Sequence, residues 1–151
     1  MKTPVRLSPP VPGTNAESST ITAFRLVGFG TPTSTNKQPI QSLHNSGAID
    51  RIAGVLQADI EAGATGDVYG QDGDEVTIES DGSGTIDYGE WVIAVAGALI
   101  ATGGRVKKLP ATPSSGTNYW LVGQCVSPTQ VPATAGAKAR IRLRIRPFQG
   151  Q

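Results

Sequence analysis

The sequence predicts an all-β protein, a small barrel or sandwich of short strands with an extended N-terminal arm. Glycine (19 residues) and proline (11 residues) are too frequent for long helices. Short apolar segments separated by Gly-rich turns recur about every ten residues, a spacing typical of small barrels and sandwiches. A length of 151 residues suits one domain, and the low content of Leu, Ile, Val and Phe predicts a thin core, which oligomerisation often stabilises.

Residues 1–47 are predicted to form the arm, and residues 48–151 the β-barrel domain. The arm is rich in Ser, Thr, Pro, Gly and Asn, and its prolines favour extended or polyproline II conformations. Its one apolar island, residues 21–27, has strand composition. A disordered tail is one interpretation; we favour an arm that becomes ordered on a partner, because the island is hard to leave in water. The expected contact residues are Ile21, Phe24, Leu26 and Phe29.

Seven strands are predicted after the arm, each rich in β-branched or aromatic residues and bounded by turn residues. The apolar run 91–101 contains enough alanine for a short helix, but Val92 and Ile93 favour a strand. Gly54 and Gly123 lie inside strands, where a glycine usually marks a bulge or a barrel corner. The predicted strands cover residues 50–58, 67–69, 75–80, 91–96, 106–108, 119–126 and 137–146.

The last strand shows the clearest alternation in the chain. Its apolar residues Ile141, Leu143 and Ile145 point to one face, and Pro147 is expected to close it. The opposite face is basic, and three interpretations would explain it: an exposed charged strand, a contact with nucleic acid, or pairing with an acidic protein surface. We favour the last, because a guanidinium can bind a carboxylate through two parallel hydrogen bonds. That face carries Arg140, Arg142, Arg144 and Arg146.

Charge is segregated along the chain. Residues 51–100 contain ten acidic residues and one basic residue, whereas residues 101–151 contain eight basic residues and no acidic one. These segments can neutralise one another within a subunit, between like subunits, or against a partner. The formal net charge of +1 argues against a general nucleic-acid binder, which needs a surplus of Lys and Arg.

Residues 79–91 match the spacing of the calcium-binding loop of EF-hands. Glu stands at the first position instead of Asp, and the strand-like residues 76–78 exclude an entering helix. We therefore favour a hairpin turn whose glycines take positive φ, and we expect no cofactor. The calcium alternative would use oxygens of Glu79, Asp81, Ser83, Thr85, Asp87 and Glu90.

Residues that carry catalysis are scarce. The single histidine, His44, lies in the polar arm, and the single cysteine, Cys125, lies inside an apolar strand. Nucleophile, phosphate-binding and zinc motifs do not occur in the sequence. The longest apolar run is too short to cross a bilayer, and the N-terminus lacks the apolar core of a secretion signal. We expect neither an enzyme nor a membrane or nucleic-acid partner.

The stretch from Ile52 to Pro147 resembles the capsid decoration, or cement, proteins of tailed bacteriophages, of β-barrel or β-tulip type. The resemblance is a pattern of glycines and apolar positions and covers about two-thirds of the chain. It rests on Ile52-Ala53-Gly54-Val55, Ala62-Gly63, Asp67-Val68, Gly82-Ser83-Gly84-Thr85-Ile86, Tyr88-Gly89-Glu90-Trp91-Val92, Gly103-Gly104-Arg105-Val106, Leu109-Pro110 and Tyr119-Trp120-Leu121-Val122-Gly123, followed by the basic alternating strand.

This resemblance implies a structural virion protein on the outer surface of an icosahedral head. Such proteins commonly form homotrimers that bridge and stabilise major capsid subunits, and the family has no catalytic residues to transfer. The expected partners are thus the major capsid protein and further copies of this chain. The alternative is a calcium-dependent carbohydrate- or receptor-binding β-module, which depends on the loop between Glu79 and Glu90.

Overall fold

The computed structural model describes residues 9–44, 51–97 and 99–150 of the chain. These residues form ten strands and no helix, as the all-β prediction requires, so no helix among them could cross a membrane. Predicted arm residues 1–8 and 45–47 lie outside the described ranges. The strands are arranged as a closed five-stranded barrel and a second five-stranded sheet.

The first five strands of the chain form the closed barrel, in the order β1-β3-β2-β4-β5. β1 pairs in parallel with β3 and antiparallel with β5, which closes the cylinder. Its buried interior residues are Ile21, Val27, Ile40, Leu56, Ile60 and Val68. The strands are β1 (Val11–Asn15), β2 (Leu26–Phe29), β3 (Pro39–Ser42), β4 (Ile52–Leu56) and β5 (Thr65–Tyr69).

The prediction of a separate arm up to residue 47 is wrong for the part of it that the structure describes from Val11 to Ser42. This segment supplies three of the five barrel strands, and so the barrel does not begin at residue 48. The reason is that β1, β2 and β3 bond to one another and to β4 and β5, which satisfies backbone groups that an isolated arm would expose. The apolar island is covered by the chain's own barrel.

The second sheet contains the remaining strands, in the order β6-β10-β9-β7-β8. Its two edges approach one another, since the Asp81 amide donates to the Val106 carbonyl over 2.9 Å. All seven strands predicted after the arm are present, and the run beginning at Trp91 is a strand. The strands are β6 (Glu75–Glu79), β7 (Trp91–Val95), β8 (Arg105–Lys108), β9 (Asn118–Cys125) and β10 (Lys138–Gln149).

One hydrophobic cluster joins the two sheets. From the barrel it takes Leu26, Val55 and Tyr69, which point away from the barrel interior. From the second sheet it takes residues such as Ile141 and Leu143, both fully buried. Strands of the barrel are thus apolar on both faces, which is why β2 reads as a continuous apolar run instead of an alternating one.

The glycines inside strands mark bulges, as predicted. Pairing between β2 and β4 shifts beside Gly54, and pairing between β7 and β9 shifts beside Gly123. Pro147 does not close the last strand, which continues to Gln149. Among the described residues only β9 pairs with β10 beyond Leu143, so this part of β10 is an edge. Proline lacks an amide donor, and its absence is tolerated at Pro147 because the strand is paired there on one side only.

Replacing Gly54 with Ala should destabilise the protein strongly. Gly54 has a φ of +155°, and a Cβ placed on it would lie 2.5 Å from the Tyr69 carbonyl oxygen in β5. We expect Gly54→Ala to lower the free energy of unfolding by about 3 kcal/mol, measured by urea denaturation. Gly63→Ala is the matched control, since Gly63 has a φ of +75° but open space around it; it should cost about 1 kcal/mol. Equal losses of unfolding free energy in the two variants would contradict the predicted clash between a Cβ at residue 54 and Tyr69.

Candidate functional site

The four arginines of β10 divide into two pairs. Arg140 and Arg142 both bind Glu75 of β6, with their Nη2 atoms 3.1 Å and 3.0 Å from its two carboxylate oxygens. This arrangement follows from the register, because Arg142 lies directly opposite Glu75. The negative charge of Glu75 is therefore already matched within the subunit. This first pair of arginines holds β6 to β10 and is a weaker candidate for partner contact than predicted.

Arg144 and Arg146 form the second pair, and a bulge sets them apart from the first. Between Leu143 and Arg146 the register of β10 against β9 shifts, so that two residues of β10 oppose one of β9. Both arginines are exposed. Within residues 9–44, 51–97 and 99–150, neither guanidinium has a carboxylate within ion-pair distance. We call Arg144 and Arg146 the basic surface.

An aromatic residue and an apolar row support the basic surface. The guanidinium of Arg146 lies 5.9 Å from the centre of the Trp91 ring, within cation–π distance. In the sheet register Arg146 lies opposite Leu121, and Leu121 lies opposite Ile93. Leu121 and Ile93 are buried, although neither belongs to the main core cluster. Residues directly opposite one another in a sheet share a face, so the arginine stem can cover this row. Sequence reasoning missed the contact with Trp91, since the pairing order of β7, β9 and β10 carries no local signal.

The four apolar residues predicted to contact a partner have different environments. Ile21 and Leu26 are 1 % and 0 % exposed, so the folded protein does not present them; these two assignments are wrong. Phe24 is half-buried, and the Lys138 ammonium lies 5.2 Å from its ring centre. Phe29 is 52 % exposed at the end of β2 and is the member of this set that remains open to a partner.

Glu79 lies at the junction of the two sheets and binds three basic side chains. Its Oε2 atom is 2.9 Å from Nε of Arg25 and 3.9 Å from Nε of Arg105, and its Oε1 atom is 3.4 Å from Nζ of Lys138. Arg25 is only 5 % exposed and also donates to the Gly103 carbonyl. Burial lowers the pKa of the Arg25 guanidinium, and the nearby carboxylate of Glu79 opposes this shift. The cluster ties the start of β2 to β6 and β8.

The six possible calcium ligands do not converge. Glu79 is directed at the three basic side chains described above, and Glu90 pairs with Lys108 of β8. A hydrogen bond from the Asp87 amide, followed by the bond from Lys108, holds the pKa of Glu90 below its usual range. Asp81 accepts bonds from the amide and hydroxyl of Ser83. No group of three or more His, Cys, Asp and Glu side chains suited to a metal occurs in the described part of the chain.

The loop between β6 and β7 is a structural turn, but it is not the predicted hairpin. β6 and β7 are not neighbours in the sheet, so the loop crosses between separated strands. Gly82 has a φ of +82° and lies against Ala135, where a Cβ would be 2.3 Å from the backbone nitrogen. Ile86 is fully buried and forms a bridge with Val131. Gly82 and Ile86 of this loop thus serve packing.

Comparison of the chain with models of protein families, with curated proteins and with solved structures gives no match. The interpretation of the site therefore depends on the residues of this chain.

Replacing Glu79 with Gln should destabilise the protein more than the same change at Glu75. Glu79→Gln leaves Arg25, Arg105 and Lys138 without their shared carboxylate, and removing one partner of a buried ion pair costs about 3 kcal/mol. Glu75→Gln removes a carboxylate that binds the more exposed Arg140 and Arg142, and should cost about 1 kcal/mol or less. Urea denaturation of both variants measures the difference in stability. If Glu75→Gln lowers the free energy of unfolding as much as Glu79→Gln does, or more, the ranking is refuted.

Millimolar calcium should leave the melting temperature of the protein unchanged. Binding would require Glu79 and Glu90 to leave their basic partners before they could coordinate an ion. Differential scanning calorimetry with and without calcium provides the measurement, and magnesium at the same concentration controls for ionic strength. A calcium-specific rise in melting temperature that Glu90→Gln abolishes would restore the loop as a metal site.

Proposed function

We propose that this protein is a structural, non-enzymatic decoration protein of a tailed-phage head, which binds the outer surface of the capsid and bridges major capsid subunits. The resemblance of residues from Ile52 to Pro147 to that family supports the proposal, and the all-β architecture agrees with it. The observation that carries it is the basic surface. Arg144 and Arg146 are exposed on a rigid strand without a carboxylate partner among the described residues.

An acidic protein surface is the partner that this arrangement suits. Arg146 is pre-oriented by the Trp91 ring, so less side-chain entropy is lost when it binds a carboxylate. The neighbouring pair, Arg140 and Arg142, is already matched by Glu75, so the excess positive charge is concentrated at the bulge of β10. Opposite charge across an interface speeds association and selects the partner.

Self-association into a homotrimer is part of the same proposal. Asp59, Glu61 and Asp67 lie along a groove of about 650 Å³ beside β4 and β5, and no carboxylate of this group has an ion-pair partner in the described ranges. This acidic groove belongs to the barrel, whereas the basic surface belongs to the second sheet. Since the basic surface faces the capsid in this proposal, the acidic groove would receive a different part of a neighbouring copy. Such a head-to-tail contact gives a ring such as a trimer when the rotation between subunits closes.

Neutralising the basic surface should weaken attachment to capsids. We expect Arg144→Gln combined with Arg146→Gln to raise the dissociation constant for heads assembled without this protein about tenfold, equivalent to two contacts of roughly 0.7 kcal/mol each. Co-sedimentation with such heads measures binding, and electron cryo-microscopy locates the protein. Light scattering of the free protein reports whether the oligomer changes as well.

The matched control is Arg140→Gln combined with Arg142→Gln, which removes the same charge from the same strand. This control should lose stability through Glu75 but keep its affinity for the capsid. Equal affinity of both double variants and the native protein would exclude the basic surface from docking. Failure of the native protein to bind any such head would overturn the proposed function itself.

A further inference from the structure

The open end of the five-stranded barrel carries an apolar groove of about 320 Å³. All five strands reach it, because β1 and β3 begin there and β2 and β5 end there. The chief lining residues are Val11, Phe29, Pro32, Pro39, Ala53 and Val68. The other end of the barrel is closed by Ile21 and Ile60, which are joined by backbone bonds in both directions.

This groove is exposed and has few hydrogen-bond donors. Val11 and Phe29 are 66 % and 52 % exposed, and large apolar side chains exposed together commonly mark a binding surface. Three prolines, Pro12, Pro32 and Pro39, line the groove, and proline has no backbone amide to offer a ligand. The groove therefore favours aliphatic or proline side chains, which gain from apolar contact and require few hydrogen bonds.

Positive charge lies at the rim of the groove. Lys37 is part of its lining, and the Arg51 guanidinium lies 5.4 Å from the centre of the Phe29 ring in an adjoining groove. Among the described residues no acidic side chain lines either groove, and none forms an ion pair with Lys37 or Arg51. Asp67 is opposite Pro12 in the register, but it lines the separate acidic groove. Charge at this end therefore favours a ligand with a carboxylate.

We propose that the open end of the barrel binds an extended segment of another protein in which aliphatic or proline side chains stand next to an aspartate or glutamate. The apolar side chains would enter the groove, and the carboxylate would meet Lys37 and Arg51. Residues 1–8 of this chain match the site poorly, since they contain Lys2 and Arg6 and no acidic residue. This site goes beyond the proposed function, because it is separate from the basic surface and does not depend on a capsid partner.

Selection from a library of random dodecapeptides on the full chain tests the site. The enriched peptides should combine Pro, Leu, Ile or Val with Asp or Glu, and fluorescence anisotropy on a synthesised consensus peptide gives its affinity. Phe29→Ala should raise the dissociation constant about tenfold, as truncation of a central aromatic contact does. Lys37→Glu should weaken binding of the acidic consensus peptide. It should strengthen binding of a second peptide in which each Asp or Glu of that consensus is replaced by Lys.

Arg144→Glu is the control, since it reverses a charge on the second sheet and should leave peptide affinity unchanged. Circular dichroism of each variant checks that the barrel stays folded, which is expected because Phe29 and Lys37 are both exposed. The proposal is overturned if selection on the native chain enriches no peptide beyond those that selection on the Phe29→Ala variant enriches. That result would follow if another part of this chain filled the groove. The proposal is also overturned if enriched peptides are basic, or if Arg144→Glu weakens binding as much as Lys37→Glu does.

Discussion

The burial of Arg25 between the two sheets is the constraint on which the rest of the structure depends. A guanidinium that is 5 % exposed needs acceptors, and it obtains them from Glu79 on β6 and from the Gly103 carbonyl before β8. Phe24, next to it, has a φ of +65°, a conformation that costs a non-glycine residue about 1 kcal/mol or more. In this conformation its amide donates to Leu56 of the barrel and its carbonyl accepts from Glu79 of the second sheet. One short turn therefore holds both sheets in a single arrangement around the shared core.

Much of the positive charge in the last third of the chain is matched within the subunit. Glu75, Glu79 and Glu90 of the acidic segment each bind basic residues, most of them from the last third of the chain. What remains for a partner is a smaller and more specific set of charges than the totals suggest. Arg144 and Arg146 stay unmatched because the pairing of β10 with β6 ends at Arg142 opposite Glu75, and these two arginines lie two and four residues further along β10. The first residue of β6 thus marks the division between arginines that stabilise the fold and arginines that are available for binding.

The sequence predicts the strands after residue 47 well, because each shows local β-propensity between turn residues. It fails for β1, which contains proline and glycine, and for β3, which begins with proline. Both are short, and both join the barrel through pairings with distant residues, one of them parallel. The apolar island around Leu26 is recognised correctly as apolar, but composition cannot tell whether a partner or the chain itself covers it. Within the candidate site, the four arginines are evident from alternation. Their division into two pairs and the contact with Trp91 depend on which strands pair and in which register, and neither has a signature in local sequence.

Two candidate docking surfaces on different sheets would allow a protein of this size to contact two partners at once. The basic surface lies on the second sheet, and the apolar groove lies at the open end of the barrel. Because Leu26, Val55 and the Arg25 cluster join the sheets through a common core, force applied at one surface is carried to the other by packed residues instead of a linker. Two attachments on a rigid body raise the effective concentration of the second contact once the first has formed. Weak individual contacts, such as exposed arginine pairs, can then give firm attachment, provided that the partner's sites match the fixed spacing between the two surfaces.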